Sequence, residues 1–319
     1  MKLLTTRLGA LGATATMAVT LVACGIDDAP PPASAGGLTA VTLSVPPVGD
    51  SLPVYAAISK GYFKDQGLDV TLTPAANGAT AINALVSGST DLALVSYPSL
   101  ITAYASGLPV TIAAAGTAGT DQYASGLYVL ADSPVRSPAD MLGKKFATPS
   151  LGSVGDVWFR GVLLKNGLDP AQVKFVEIPQ ANMASALKAG DVDGIFQTEP
   201  TLSATKAKLD VRPIAFQNGP QGLFATSRKL LQERPKVVNG FRVGMAKAVA
   251  DISADPRGAA AKLMPEYTQM SAQTAGAMGF PAFNTEFDSK GVQELVDLMV
   301  QEGLLKKSFD ATELYQDMA

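Results

Sequence analysis

The pattern Ala-Leu-x-x-Gly-x-x-Asp occurs twice, first as Ala84-Leu85-x-x-Gly88-x-x-Asp91 and again as Ala186-Leu187-x-x-Gly190-x-x-Asp193. Each copy reads as the last turn of a helix, a glycine able to take the left-handed cap, and an aspartate leading into a strand. Two more pairs recur in a similar setting: Val48-Gly49-Asp50 with Val154-Gly155-Asp156, and Gly67-Leu68-Asp69 with Gly167-Leu168-Asp169. One match could come from the common grammar of helix-to-strand turns; three point to a body built from two similar units.

Those units are α/β. Strand-like runs at 41–45, 70–73, 92–95 and 110–114 are separated by stretches of helical spacing, and the series repeats at 145–148, 173–178, 195–196 and 211–215. Two such lobes, face to face, bring the carboxyl ends of their strands and the helix starts that follow to one cleft, where ligands bind. The first lobe is expected over 38–132, the second over 133–218, and residues 219–319 return to the first lobe as a mainly helical tail. Leu295, Leu298 and Met299 in that tail are spaced for one helix face. Short extended segments at 127–131 and 223–226 bracket the second lobe and are the expected hinges.

The chain opens with Lys2 and Arg7 and a Leu/Ala/Val/Thr stretch from 8 to 23, too short and too rich in Gly and Ala to span a bilayer. It ends Leu21-Val22-Ala23-Cys24-Gly25, which resembles the lipobox of bacterial lipoproteins. That resemblance implies removal of residues 1–23 as a signal peptide and attachment of diacylglycerol to Cys24. Residues 24–37 then form a Pro/Ala/Ser/Gly tether with a reach of roughly 20–40 Å.

Composition narrows the function further. The 319 residues include no histidine and one cysteine. This removes histidine general bases, Cys-His nucleophiles, zinc sites of the usual ligands and any internal disulfide. No metal and no cofactor are expected. A formal charge of −3 gives no basic excess for a nucleic-acid backbone.

Further motifs set the family. Gly61-Tyr62-Phe63-Lys64-Asp65-Gln66-Gly67-Leu68, the repeated Ala-Leu-x-x-Gly-x-x-Asp, Gly107-Leu108-Pro109-Val110, Asp132-Ser133-Pro134-Val135 and Leu142-Gly143-Lys144-Lys145 together resemble the solute-binding proteins of ATP-binding-cassette importers. The likeness is to the branch that takes nitrate, sulfonates, taurine and thiamine-pyrimidine precursors, and it runs over about residues 40 to 310. It implies the two-lobed type II periplasmic-binding-protein fold, closing over a small organic solute that is a sulfonate, an aromatic or a pyrimidine-like compound. It also implies membrane permease and ATPase subunits as partners, a place outside the cytoplasmic membrane held by Cys24, and no catalysis. Two alternatives stand beside it. Some relatives are enzymes that make the thiamine pyrimidine with a histidine, a lysine-bound cofactor and a cysteine cluster, a set this chain lacks. A sensing or adhesion lipoprotein would share the signal and the fold.

The candidate solute residues lie where strands end and helices begin, because unpaired helix N–H groups suit an oxyanion or a carbonyl. In the first lobe these are Gly49, Asp50 and Ser51 with Tyr55 one turn on, then Asn77, Gly78 and Thr80, then Ser96 and Tyr97. In the second they are Gly152 and Ser153, Asn182, and Gln197, Thr198 and Glu199. Each also has a plain reading as a cap or turn residue. Trp158, among Val154, Val157 and Val162, reads first as core and second as a ring that stacks on the solute. Glu199 stands before Pro200 and either balances a helix start or faces the solute, where it would favour N–H donors over a bare oxyanion.

Overall fold

The first sheet begins with strand β1 (Thr39–Val45), helix α1 (Leu52–Ser59) and strand β2 (Leu68–Pro74), with β1 and β2 parallel and Val41 opposite Val70. The computed structural model describes residues 37–74, 78–120 and 125–315, all within the unit Pro32–Ala319. Helix α2 (Gly78–Ser87), strand β3 (Leu92–Ser96), helix α3 (Tyr97–Ala105) and strand β4 (Val110–Gly119) complete the first half. Next come strands β5 (Gly126–Leu130) and β6 (Lys145–Thr148), helix α4 (Val154–Lys165), strand β7 (Lys174–Glu177), helix α5 (Gln180–Ala189), strand β8 (Gly194–Gln197), helix α6 (Thr201–Lys206) and strand β9 (Val211–Phe216). Strand β10 (Gly219–Ser227) leads into helices α7 (Arg228–Glu233), α8 (Pro235–Ile252), α9 (Pro256–Tyr267) and α10 (Ala272–Ala277), the short strand β11 (Ala282–Phe283) and helix α11 (Ser289–Gln301).

Among the described residues there are two sheets, in the orders β11-β4-β10-β3-β1-β2 and β7-β6-β8-β5-β9. They share a plan. β2-β1-β3 and β7-β6-β8 are the parallel trios, and a strand antiparallel to both its neighbours follows each, β10 in the first sheet and β5 in the second. Each of these antiparallel strands is the first after the chain crosses from the other sheet, so the second sheet is one continuous stretch (β5–β9) and the first is completed by the returning β10 and β11. The fold is that of the type II periplasmic binding proteins.

The repeated motif has one structural job in both lobes. Gly88 and Gly190 sit at φ 74° and 77°, the left-handed region that closes a helix without a Cβ clash. Asp91 then accepts from the Thr42 amide at 2.8 Å and Asp193 from the Lys145 amide at 2.9 Å. Each aspartate thereby pins the third strand of its lobe to the first.

The expected hinges are corrected. Residues 127–131 fall largely in β5, whose Leu127, Tyr128 and Val129 are wholly buried in the second sheet, and 223–226 fall in β10, equally buried in the first. A strand apolar on both faces is a central strand, not a connection. Because β5 belongs to the second sheet, the first crossing lies between Gly119 and Gly126, ahead of the expected start at Ser133. The second lies at Gln217, Asn218 and Gly219. The two crossings touch: the Gln217 amide donates to Ser125 O at 2.7 Å, and a Cβ on Gly119 would lie 2.0 Å from Gln217 O.

The first-lobe core holds Phe63 stacked on Phe241 at 5.3 Å, with Phe224 at 5.2 Å from Phe241. Helices α8 and α9 pack there. The second-lobe core centres on Phe146, Phe159 and Phe196. Trp158 packs against Phe159 and Phe196 at its edge, on the core side of its two readings. Between the lobes, α4 meets α11 where Gly161 faces Leu298, and Val157 joins the cluster of Val292 and Val296.

Candidate functional site

The carboxyl ends of β1 and β3 in one lobe, and of β6, β7 and β8 in the other, carry the candidate residues. After β1, a 3-10 turn of Gly49, Asp50 and Ser51 precedes α1. Ser51 is fully buried and its hydroxyl donates to Pro46 O at 2.6 Å, so it fixes the turn. Tyr55 is buried and stacked on Tyr267 at 4.7 Å, and burial pushes its hydroxyl pKa up. Both side chains face the lobe interior.

Asp50 is different. Its Oδ1 accepts from the Thr117 hydroxyl and from Gln221 Nε2 at 3.4 Å, while the Thr117 hydroxyl in turn accepts from the Gly222 amide at 3.1 Å. A Cβ on Gly222 would come within 3.0 Å of Thr117 Oγ1 and 3.2 Å of Asp50 Oδ1, so the absence of a side chain there makes room for the cluster. Burial pushes the Asp50 carboxyl above its ordinary range, partly opposed by the Thr117 bond. Thr117 and Gln221 were not singled out from the sequence; they come from β4 and β10, and only the returning strand brings them to the turn after β1.

Asn77 lies outside the described residues, as does Cys24. Gly78 opens α2 against Ser99, whose Oγ would be 2.8 Å from a Cβ there, and Thr80 is exposed on the same helix. Ser96 caps α3 by accepting from the Ser99 amide at 3.3 Å. Tyr97 is buried in the cluster with Val292 and Val296, and burial with the nearby Asp288 charge raises its pKa.

In the second lobe Gly152 donates to Asp156 Oδ2 at 2.7 Å, and the Ser153 hydroxyl donates to Ser150 O at 2.6 Å. Asp156 is the counterpart of Asp50 in the repeat, but Arg160 Nε donates to its Oδ1 at 3.0 Å. Asn182 is exposed, within the first turn of α5. Gln197 is fully buried; its Nε2 donates to Gln180 O at 3.3 Å, and its Oε1 has no partner. The Thr198 hydroxyl donates to Gln180 Oε1 at 3.1 Å. Glu199 is turned into its own lobe: Oε2 accepts from the Ser203 amide at 3.0 Å and Oε1 from the Ser203 hydroxyl at 3.0 Å, which anchors the first turn of α6.

Asp50, Ser96, Gly152, Ser153, Gln197 and Thr198 thus stand at or just past strand ends, while Ser51, Tyr55, Tyr97 and Glu199 make packing or capping contacts; Asp50 also lines a cavity within the first lobe together with Arg242, Met245 and Phe224. Among the described residues no group of three or more acidic or cysteine side chains could hold a metal ion, and no helix is long and apolar enough to cross a membrane.

Over 201 residues the chain is 22% identical to the taurine-binding periplasmic protein of Escherichia coli K12, covering 61% of this chain and 61% of that one. It is 26% identical over 143 residues to 4-amino-5-hydroxymethyl-2-methylpyrimidine phosphate synthase of Schizosaccharomyces pombe, covering 45% of this chain and 40% of the enzyme. Both matches span less than two thirds of the relative. The structure resembles the periplasmic aliphatic sulphonate binding protein SsuA of Escherichia coli with a TM-score of 0.74 at 18% identity, covering 88% of this chain and 92% of that one, a likeness of fold. The model of the NMT1/THI5 like family matches residues 49–259, and the chain belongs to that family.

Proposed function

We propose that this protein is an extracytoplasmic receptor that closes two lobes over a small organic solute and delivers it to the permease and ATPase of an ATP-binding-cassette importer, anchored through lipidated Cys24. The observation that carries the reading is that the chain passes between two sheets of one plan twice, once between Gly119 and Gly126 and once at 217–219, and that the described ends of the two crossings touch. Such a connection favours hinge motion, and strand ends from both sheets border the space that closes. Binding proteins for taurine and for aliphatic sulphonates among the similar proteins support it. The synthase relative keeps an enzyme as the second reading, against which stands a chain with no histidine.

The test is a thermal-shift screen with sulfonates, nitrate, aromatic carboxylates and pyrimidines, followed by small-angle scattering with the best ligand. A ligand bound only by the folded form raises the melting temperature. Closure lowers the radius of gyration at saturation; an unchanged radius removes hinge closure from the mechanism. Turnover of a pyrimidine-synthase substrate set would replace the receptor reading with the enzyme one.

A further inference from the structure

The contact between the lobes holds more acid than base. Asp156 and Arg160 stand one turn apart on α4, and Arg160 Nε donates to Asp156 Oδ1 at 3.0 Å. From the other lobe Glu302, just past α11, brings a second carboxyl, its Oε2 3.9 Å from the same Nε and beyond hydrogen-bond reach. The Asp156 and Glu302 side chains are each 1% exposed, and among the described residues neither Glu302 oxygen has a hydrogen-bond partner. One guanidinium therefore faces two buried carboxyls and is bonded to the first. A buried carboxylate with no donor is far more costly than the neutral acid in the same place.

The surroundings bring no further cation. Of the elements packed against α11, β10 carries no charged residue, α3 carries only the ionisable Tyr97 and Tyr104, and the 3-10 turn Ala311–Leu314 carries Glu313, which accepts from the Tyr104 hydroxyl. Lys165 on α4 is exposed, as are Lys290, Glu294 and Asp297 on α11 and Lys306 and Lys307 beyond it. Burial holds the Glu302 carboxyl up to about 8, opposed by the Arg160 charge and aided by that of Asp156. The chain has no histidine, the side chain that ordinarily changes charge between pH 5 and 8, and this carboxyl stands in its place. The cluster also reaches the turn after β6, because Asp156 Oδ2 accepts from the Gly152 amide at 2.7 Å.

We infer that the contact of α4 with the end of α11 is a proton-dependent catch between the lobes: it closes on Glu302 as the neutral acid, and ionisation of Glu302 parts it. An ionised Glu302 leaves two carboxylates to share one guanidinium in a dry contact, and parting the helices returns the second carboxylate to water. The sign follows from the raised value. The closed contact holds a proton that the parted form releases, so it is tightest below the ordinary glutamate range and is lost as pH rises through about 8. Gly152, tied to Asp156, carries the release to the turn after β6. The catch belongs to the lobes themselves and acts whether or not a solute is bound.

Trp158, the single tryptophan, sits on α4 and lines a groove of about 1020 Å³ with Leu295 and Leu298 of α11, so its fluorescence reports how closely the two helices lie. The experiment follows Trp158 emission and its quenching by acrylamide in the full chain, with no solute added, from about pH 5.5 to 9.5, with far-ultraviolet circular dichroism to show that the fold persists. The native protein should show a red shift and stronger quenching with a midpoint near 8, and a larger radius of gyration in small-angle scattering above that midpoint. Glu302→Gln, which cannot ionise, should stay in the closed form throughout. The two neighbours should move the midpoint in opposite directions: Asp156→Asn lowers it by removing a carboxylate, and Arg160→Gln raises it by removing the opposing cation. Asp156→Asn keeps an acceptor for the Gly152 amide and decides the matter if Glu302→Gln does not fold. A flat native profile, an unchanged radius of gyration, a transition that survives Glu302→Gln, or a midpoint in Asp156→Asn at or above the native one would each overturn the catch. The receptor reading stands or falls separately, on its own ligand screen.

Discussion

The repeated aspartates offer a direct test of whether one motif, used twice, carries the same load. In the first lobe Asp91 accepts from the Thr42 amide at 2.8 Å, the Thr42 hydroxyl at 3.0 Å and Arg234 Nη1 at 2.8 Å, with its side chain and that of Arg234 about one-fifth exposed. Arg234 also donates to Ala40 O at 2.9 Å, so the cluster ties β1, β3 and the start of α8 together. In the second lobe Asp193 accepts from the Lys145 amide at 2.9 Å, and its other contact is Lys144 Nζ at 3.8 Å, with both side chains about two-fifths exposed. A hydrogen bond to a charged group contributes about 1.5–3 kcal/mol and an exposed ion pair about 0–1 kcal/mol. Contributions within one cluster are not additive, so Asp91→Ala should cost about 3 kcal/mol and Asp193→Ala about 1.5 kcal/mol. Urea unfolding at neutral pH measures both, followed by far-ultraviolet circular dichroism for the whole chain and by the fluorescence of Trp158, the single tryptophan, for the second lobe. Pairing Asp91→Ala with Arg234→Ala in a double-mutant cycle should give a coupling of about 1 kcal/mol or more. A loss at Asp193 equal to or larger than that at Asp91, or no coupling to Arg234, would refute this account of the motif.

Cys24→Ala should move the protein from the membrane fraction to the soluble fraction on cell fractionation, and unchanged membrane association places the anchor elsewhere. Glu199→Ala should lower stability by about 1 kcal/mol through loss of the Ser203 bonds at the start of α6, with solute affinity changed less than twofold in calorimetry. Glu302, just past α11, has a carboxyl held to about 8 by burial, with the Arg160 guanidinium 3.9 Å away opposing the shift and Asp156 adding to it. The folded state therefore keeps a proton that the unfolded chain releases near the ordinary glutamate value, and stability falls as pH rises from about 5 to about 8. Glu302→Gln should match the native protein near pH 5 and exceed it above pH 8; parallel pH profiles of melting temperature would refute the assignment.

Most of the scaffold was legible because strands and caps are local. The runs at 41–45, 92–95 and 145–148 match β1, β3 and β6, since apolar runs between turn residues report burial directly. The capping glycines 88 and 190 were readable for the same reason. The hinges were not. Segments 127–131 and 223–226 look like short links in the sequence, and only the places of β5 and β10 inside their sheets show that they are central strands. The candidate positions were legible in part. Asp50, Ser96, Gly152 and Gln197 stand at or just past strand ends as the pattern placed them, but the partners that give Asp50 its character, Thr117 and Gln221, lie 67 and 171 residues further along the chain, and no local pattern marks them.

In the proposed receptor, the two crossings set where closure would act on the solute. Both crossings enter beside the antiparallel strands, β10 between β3 and β4 and β5 between β8 and β9, while β2 and β7 form the far edges of the two sheets. A rigid rotation about the crossings displaces each residue in proportion to its distance from them. Residues on β3, β8 and β10, among them Ser96, Gln197 and Gln221, stand on strands next to the crossings and would move little in that motion. The starts of α2 and α5, beyond β2 and β7, swing furthest. The contact of Gly161 on α4 with Leu298 on α11 sits between the lobes and limits the motion from one side, because two helices in such close approach can slide or pivot but cannot be pressed closer. Under the proposed function, recognition near the axis and enclosure from the outer helices would be separable. Substitutions at Gln197 or Gln221 should change which solute is chosen, and substitutions at Thr80 or Asn182 should change how tightly the closed form holds any solute at all.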